Sequence, residues 1–243
     1  MRPASLRPAA QVSLRPWPLG DGIVHLVLLD VDMVPETSDV ERWTRDAFAD
    51  DIQLVRTGAM FPLAAQAFLD AGYTVADRLA LLERPLIGRS DVSHHLVRGD
   101  WTLSRLRPRD RVAAADVDQS AFPTGWRHDA DSLLDIAAAT PQSHQRIAHS
   151  SRRSGRRCLG FSITGKAGTT GYLQRIAVHP SARRHGVATA LVVDSLQWLM
   201  RRGAARAMVN TGIDNTAALA LYEGLGFRRR DEELVVLERT RAT

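Results

Sequence analysis

Short apolar runs of strand length alternate along this chain with longer stretches whose apolar residues recur at helical spacing. In the first half, IVHLVLLDV from Ile23 reads as a strand, SDVERWTRDAFAD as a helix opening on a Ser or Asp cap, and IQLVRTG as a strand ending at Gly58. PLAAQAFLDAG follows as a helix with Pro62 near its start and Gly72 past its end, and DRLALLERPL closes as a strand. The predicted order is β-α-β-α-β. At IGRSDVSHH, Ile87 to His95, the pattern lapses into a linker.

The second half opens on the strand WTLSRLRP and continues with helical patterns in RDRVAAADVDQSAF and DADSLLDIAAAT, separated by the turn-prone PTGWRH. HQRIAHS, RRCLGFSITG and GYLQRIAV read as strands, with a basic loop, SRRSGRR, between the first two. A helix from Gly186 to about Arg202, the strand ARAMVNTG, the helix NTAALALYEGLG and the strand ELVVLER complete the chain. Strands and helices mixed throughout predict a layered α/β domain with a mixed sheet. The organisation expected is a half-domain over residues 1–86, a linker over 87–100 and a main domain over 101–243.

One stretch echoes another. VRTGAMFPLAAQAFLDAGYTVAD, Val55 to Asp77, lies without gaps on VNTGIDNTAALALYEGLGFRRRD, Val209 to Asp231. Val55/Val209, Thr57/Thr211, Gly58/Gly212, Ala64/Ala218, Gly72/Gly226 and Asp77/Asp231 are identical, and Phe68/Tyr222 and Tyr73/Phe227 exchange one aromatic ring for another. Duplication accounts for this, as does the glycine punctuation shared by any strand-helix-strand unit.

With 243 residues, 44% of them hydrophobic, the chain can bury a sizeable core. Its single cysteine, Cys158, excludes an intrachain disulfide and suits a reducing compartment, so a cytoplasmic protein is expected. No apolar run approaches the roughly 18 residues of a membrane-spanning helix. The formal charge of +5 is carried almost wholly by arginine, Lys166 being the sole lysine. Such a balance favours an anionic ligand or partner, although arginine bias in the genome explains it equally well.

The charge matters most in AVHPSARRHGVATALVVDSL, Ala177 to Leu196, where Arg183, Arg184 and His185 crowd the start of a helix that opens at Gly186. Cations there oppose the helix dipole unless an anion sits opposite. A strand, a tight loop and a helix N-terminus together form an anion site from free backbone amides, and Gly186 and Ala188 let a phosphate approach closely. The loop lacks the Gly-Lys-Ser/Thr of a Walker motif and the G-x-G-x-x-G of dinucleotide folds. Arg-x-x-Gly-x-Ala after a strand ending in IAVHP instead resembles the acetyl-CoA pyrophosphate loop of the GNAT superfamily of N-acetyltransferases, with Arg183, Gly186 and Ala188 on its three defining positions. Downstream, DNTAALALYEGLGF is similar to that family's segment with Asn at a helix start and Tyr near its end; Asn215 and Tyr222, two helical turns apart, share one side.

The resemblance implies a GNAT-like mixed, mostly antiparallel twisted sheet flanked by helices, with an appended N-terminal β-α-β-α-β half-domain that is a degenerate copy. It implies acetyl-CoA as cosubstrate. Ile176, Ala177 and Val178 would pair with the pantetheine chain like an added strand, and the Val178 amide would polarise the thioester carbonyl. Arg183, Arg184, His185, Gly186, Val187, Ala188 and Thr189 would hold the pyrophosphate, Asn215 would hydrogen-bond the pantetheine or its neighbouring backbone, and Tyr222 would protonate the departing thiolate.

The base side departs from the family pattern, for TTGYLQRIAV carries no Glu and neither Tyr172 nor Gln174 is a good base. His128, Asp129 and Asp131 in WRHDAD are candidates beside a water relay, with helix capping as their other reading. The first half departs too, having Phe61 and Phe68 opposite Asn215 and Tyr222, and no Arg-x-x-Gly-x-Ala.

The adjacent His94 and His95, and six further histidines without paired spacing, suggest no metal. Arg228 to Arg230 read as a solvated edge beside the acidic Asp231 to Glu233, and scattered basic residues argue against nucleic acid. The expected protein is therefore an N-acetyltransferase acting on an amine acceptor, small molecule or protein, with no membrane partner and room for a homodimer. The alternative is a catalytically weak acyl-CoA sensor.

Overall fold

The computed structural model describes residues 11–29, 34–48, 51–86, 99–151 and 157–241. The linker, His94 and His95 among it, falls outside these residues except at its last two positions, as does most of the basic loop before Arg157. Two compact units divide the chain: residues 1–80 with 231–243, and residues 81–230.

The first unit holds β1 (Val12–Pro16), β2 (Ile23–Leu28), α1 (Thr37–Ala47), β3 (Leu54–Thr57), α2 (Pro62–Asp70), the start of β4 (Thr74–Pro85) and most of β10 (Arg228–Thr240). Its strand order is β1-β2-β3-β10-β4. β1 corrects the expected order to β-β-α-β-α-β. It pairs antiparallel with β2 from Val12↔Leu28 to Pro16↔Val24, and a half-exposed edge strand tolerates the proline that made the segment read as a tail. The cap expected at Ser38 or Asp39 is also corrected: the N-cap is Glu36, and Asp39 sits inside the first turn, accepting from Arg42 at 2.6 Å. Leu26, Val40, Val55, Phe68 and Leu237 are fully buried in a core between both helices and the sheet.

His25 lies beside Arg15 and Arg56 across the β1-β2-β3 ladder and edge-on to Trp17, 4.9 Å away. Burial, aided by those two guanidiniums, holds its imidazole down to about 4 from an ordinary 6.5. Between these values the unfolded chain binds the proton that the folded one refuses, so stability is lost as pH falls from about 6.5 towards 4. Denaturation midpoints measured across that window should decline, and His25→Gln should flatten the decline; an unchanged slope refutes the assignment.

The second unit holds the end of β4, β5 (Trp101–Arg105), α3 (Arg111–Ala121), α4 (Ala130–Ala138), β6 (Gln142–Ser150), β7 (Cys158–Ala167), β8 (Thr170–Val178), α5 (Val187–Arg201), β9 (Arg206–Gly212), α6 (Thr216–Gly224) and the start of β10. Its strand order is β4-β9-β8-β7-β6-β5, antiparallel from β5 to β8 and parallel between β8 and β9. Alternation along β6 sends Ile147 to the face covered by α3 and α4 and Ala148 to the face covered by α5. A buried Thr164 Oγ1 to Ser195 Oγ hydrogen bond of 2.7 Å ties α5 to β7.

The echo seen in sequence is also present in three dimensions. β3-α2-β4 and β9-α6-β10 carry helices of nine residues each, ended by Gly72 at φ +83° and Gly226 at φ +80°. Each helix buries an edge-on aromatic pair, Phe68 with Tyr73 and Tyr222 with Phe227. Burial along the closing strands matches once β10 is given one extra residue, aligning LALLER (Leu79 to Arg84) with LVVLER (Leu234 to Arg239). Arg239 donates to Ala71 O at the end of α2, and Arg84 donates to Leu225 O at the end of α6. Removing the first of these charge-assisted caps in Arg239→Met should cost about 1–2 kcal/mol in chemical denaturation; a loss under a few tenths would show the carbonyl to be satisfied by water. Residues 228–233 are exposed, as expected of a solvated edge, with Arg229 and Arg230 paired to Glu223 and Glu83, and Glu233 to Arg78.

Candidate active site

β8 and β9 are registered only from Thr170↔Arg206 to Tyr172↔Met208, after which no pairing joins them. Opposite the gap, β8 stays paired to β7 up to Gly160↔Val178, with a bulge that leaves Gln174 unregistered. The His179 amide donates to Leu159 O on the β7 side. Since successive amides point to opposite edges, those of Val178 and Ile176 face the open side. The corresponding parallel pair in the first unit stays closed: β2 and β3 register through Leu26↔Thr57, and Gly58 N–H donates to Leu26 O.

At the mouth of the gap, Pro180–Ala182 forms a 3-10 turn whose capping His179 Nδ1 accepts from the Ser181 amide, and the chain then turns into α5. Arg184 at φ +64° and Gly186 at φ +76° both take left-handed backbone. Among the described hydrogen bonds none has a backbone acceptor for the amides of Arg184 through Thr189; the first conventional helix bond runs from Ala190 N to Gly186 O. Six adjacent donors at the positive end of a 15-residue helix are an arrangement that suits an anion. The residues expected here from sequence, Arg183, Arg184, His185, Gly186, Val187, Ala188 and Thr189, do come together. Arg183 points back, however, its guanidinium 3.4 Å from Ala121 O. Trp101, which carries no sequence motif, donates to His185 O at 3.1 Å and fixes the loop from outside.

Asn215 and Tyr222 lie at the start and end of α6. Asn215 caps it, Oδ1 accepting from Ala218 N and Nδ2 donating to Thr211 Oγ1, each at 3.2 Å, so its side chain ties the end of β9 to α6. Tyr222 is buried against Phe227, and none of the described residues hydrogen-bonds its hydroxyl. Burial pushes its phenol up to about 12, so it keeps its proton throughout the neutral range.

Of the base candidates, Asp129 has a structural role, and Asp131 lies in the first turn of α4. Asp129 caps α4 through the Ser132 amide and hydroxyl; burial would raise its carboxyl, but these hydrogen bonds, with His128 nearby, carry it below the usual value. The His128 amide donates to Asp118, whose fully buried carboxylate also holds Arg175 at 2.7 and 2.9 Å. That pair, with Arg175 also donating to Trp126 O, anchors α3 and the following turn to β8; sequence spacing carried no sign of it. Burial also raises the Cys158 thiol to about 11, leaving it protonated and inert. Among the described residues no cluster of metal-ligating side chains occurs, and no helix is long and apolar enough to cross a membrane.

Residues 115–227 match the model of the acetyltransferase (GNAT) family. The chain is 30% identical over 126 residues, 52% of its length and 80% of the relative's, to the [ribosomal protein bS18]-alanine N-acetyltransferase of Escherichia coli K12. It is 28% identical over 172 residues to the mycothiol acetyltransferase of Kocuria rhizophila, covering 65% of this chain and 56% of that one. Among solved structures, a tandem GNAT protein from the clavulanic acid biosynthesis pathway superposes with a TM-score of 0.72 at 14% identity, covering 99% of this chain and 81% of the other. A GCN5-related N-acetyltransferase from Sphaerobacter thermophilus gives 0.67 at 14% identity, covering 95% and 76%.

Proposed function

Because the chain belongs to the GNAT family of acetyltransferases and is an acyltransferase, we propose that it transfers the acetyl group of acetyl-CoA to an amine by direct attack. The observation that carries this reading is the opening of β8 from β9 beside six amides without backbone acceptors. Acetyl-CoA supplies an activated thioester. The free edge of Ile176, Ala177 and Val178 would bind its extended pantetheine as a further strand, and the amides of Arg184 to Thr189, with the Arg184 side chain, its pyrophosphate. The Val178 N–H, facing the open side, stabilises charge developing on the carbonyl oxygen. Tyr222 holds the proton that the departing sulfur takes up. Asn215 acts through position, tying the start of α6, the helix that carries Tyr222, to the end of β9.

Relatives are named as a [ribosomal protein bS18]-alanine N-acetyltransferase and as a mycothiol acetyltransferase, so both a protein N-terminus or lysine and a small-molecule amine fit as acceptor. The closed β2-β3 pair supports a single acetyl-CoA site, with residues 1–86 as a degenerate half-domain, 87–100 as linker and 101–243 as the catalytic domain. The buried, protonated Cys158 suits a cytoplasmic enzyme.

One observation favours an acyl-CoA sensor instead: Asp129 is engaged as a helix cap and leaves the amine proton without an assigned base. Release of free CoA from acetyl-CoA, assayed over a panel of amines and alanine-ended peptides, decides between them. Turnover with one acceptor class is expected. Acetyl-CoA binding with no turnover on any acceptor selects the sensor, and no thermal stabilisation by acetyl-CoA removes both.

A further inference from the structure

α5 has a second charged end. Its 15 residues span about 22 Å, and beyond the end remote from Gly186 lies a cleft of about 880 Å³ within the second unit. Arg105 from β5, Arg107 just before α3, Arg111 at its start, Arg146 from β6 and Arg202 after α5 converge on it, and no Asp or Glu among the described residues lines it. Arg146 has a partner in Asp194, 3.2 Å away, which also meets His144 at 2.7 Å. Among the described residues no carboxylate pairs with Arg105, Arg107, Arg111 or Arg202. Among the described residues the buried Nε of Arg111 has no hydrogen-bond partner, so its desolvation is uncompensated by them. The first turn of α3, starting at Arg111, adds the positive end of its dipole.

Two features narrow the ligand. Trp198 is stacked on His144, with rings 5.1 Å apart and 5° from parallel, and Arg202 stands 6.0 Å from its centroid, so the indole is engaged and offers no free platform for a nucleobase. The site is concave and of small-molecule size, and five guanidiniums in that volume call for three or four negative charges at high density. A peptide would need several successive acidic residues to supply them, whereas one di- or triphosphate group does so within a few ångströms. We propose that this cleft is a second anion site that binds a compact oligophosphate, separate from the amide loop at the start of α5.

Calorimetric titration of the full chain with inorganic tripolyphosphate tests the assignment. Saturable binding is expected, weakened about tenfold or more in Arg111→Gln/Arg202→Gln and in a second variant on exposed positions, Arg105→Gln/Arg107→Gln. The charge-matched Arg45→Gln/Arg228→Gln should stay within about twofold of the parent, and Gly186→Glu should retain binding. A nucleoside triphosphate titrated in parallel separates a free from an esterified source: tighter binding of either form, lost in the same variants, supports the site. Absence of heat, retention in both cleft variants, or loss in Gly186→Glu alone overturns it. Tighter binding of an oligouridylate or of hexaglutamate to the cleft overturns it in favour of an RNA or an acidic-peptide partner.

Discussion

Gly186→Glu is expected to abolish acetyl-CoA binding, with the dissociation constant rising more than about a hundredfold in titration while far-UV circular dichroism stays unchanged. Two effects combine at this residue. Gly186 has φ +76°, where a Cβ costs roughly 1–2 kcal/mol, so the amides around it lose their alignment. The introduced carboxylate also sits at the helix N-terminus, among the unpaired amides, and competes with any phosphate for them. Arg184→Ala, by contrast, removes one charge-assisted contact and leaves the amide array in place, so a weakening of about tenfold or less is expected. If Arg184→Ala proved the more damaging change, side-chain charge rather than backbone geometry would make the site.

Tyr222→Phe is expected to lower kcat by about a hundredfold while leaving the acetyl-CoA dissociation constant within a factor of two. Phenylalanine retains the edge-on contact with Phe227 and the buried volume, so the loss reports the hydroxyl alone. Because burial places the phenol at about 12, deprotonation of Tyr222 should add no descending limb to the pH-rate profile below about pH 10. An unchanged kcat would show that solvent, not Tyr222, protonates the leaving sulfur. An unchanged kcat with a weakened KM would make the residue a packing element of α6.

Both variants act at positions legible in the chain itself. The proline, the glycine and the small residues that follow Ile176 to Val178 specify a strand, a stop and a helix start through local backbone preferences, and those preferences operate wherever the segment lies. The same holds for α2 and α6, whose proline or asparagine starts and glycine ends are local signals. β1 escaped because an arginine- and proline-containing edge strand leaves one side in water and so shows no clear apolar period. The register of the repeat past Asp77 and Asp231 escaped because one extra residue in β10 shifts it, and only the burial pattern reveals the shift.

By itself, the sequence determined the succession of elements from β2 onwards, the amide loop at Gly186 and the placing of Asn215 and Tyr222 at the two ends of one helix, all of which rest on interactions within a few turns of chain. Tertiary structure alone decided that β8 parts from β9 while β2 stays closed on β3, and that Asp118 is bound to Arg175 across 57 positions. It likewise gathered five arginines from four elements into one cleft. These depend on which strand edges and side chains meet after the chain has packed, and no local preference encodes a meeting between segments so far apart.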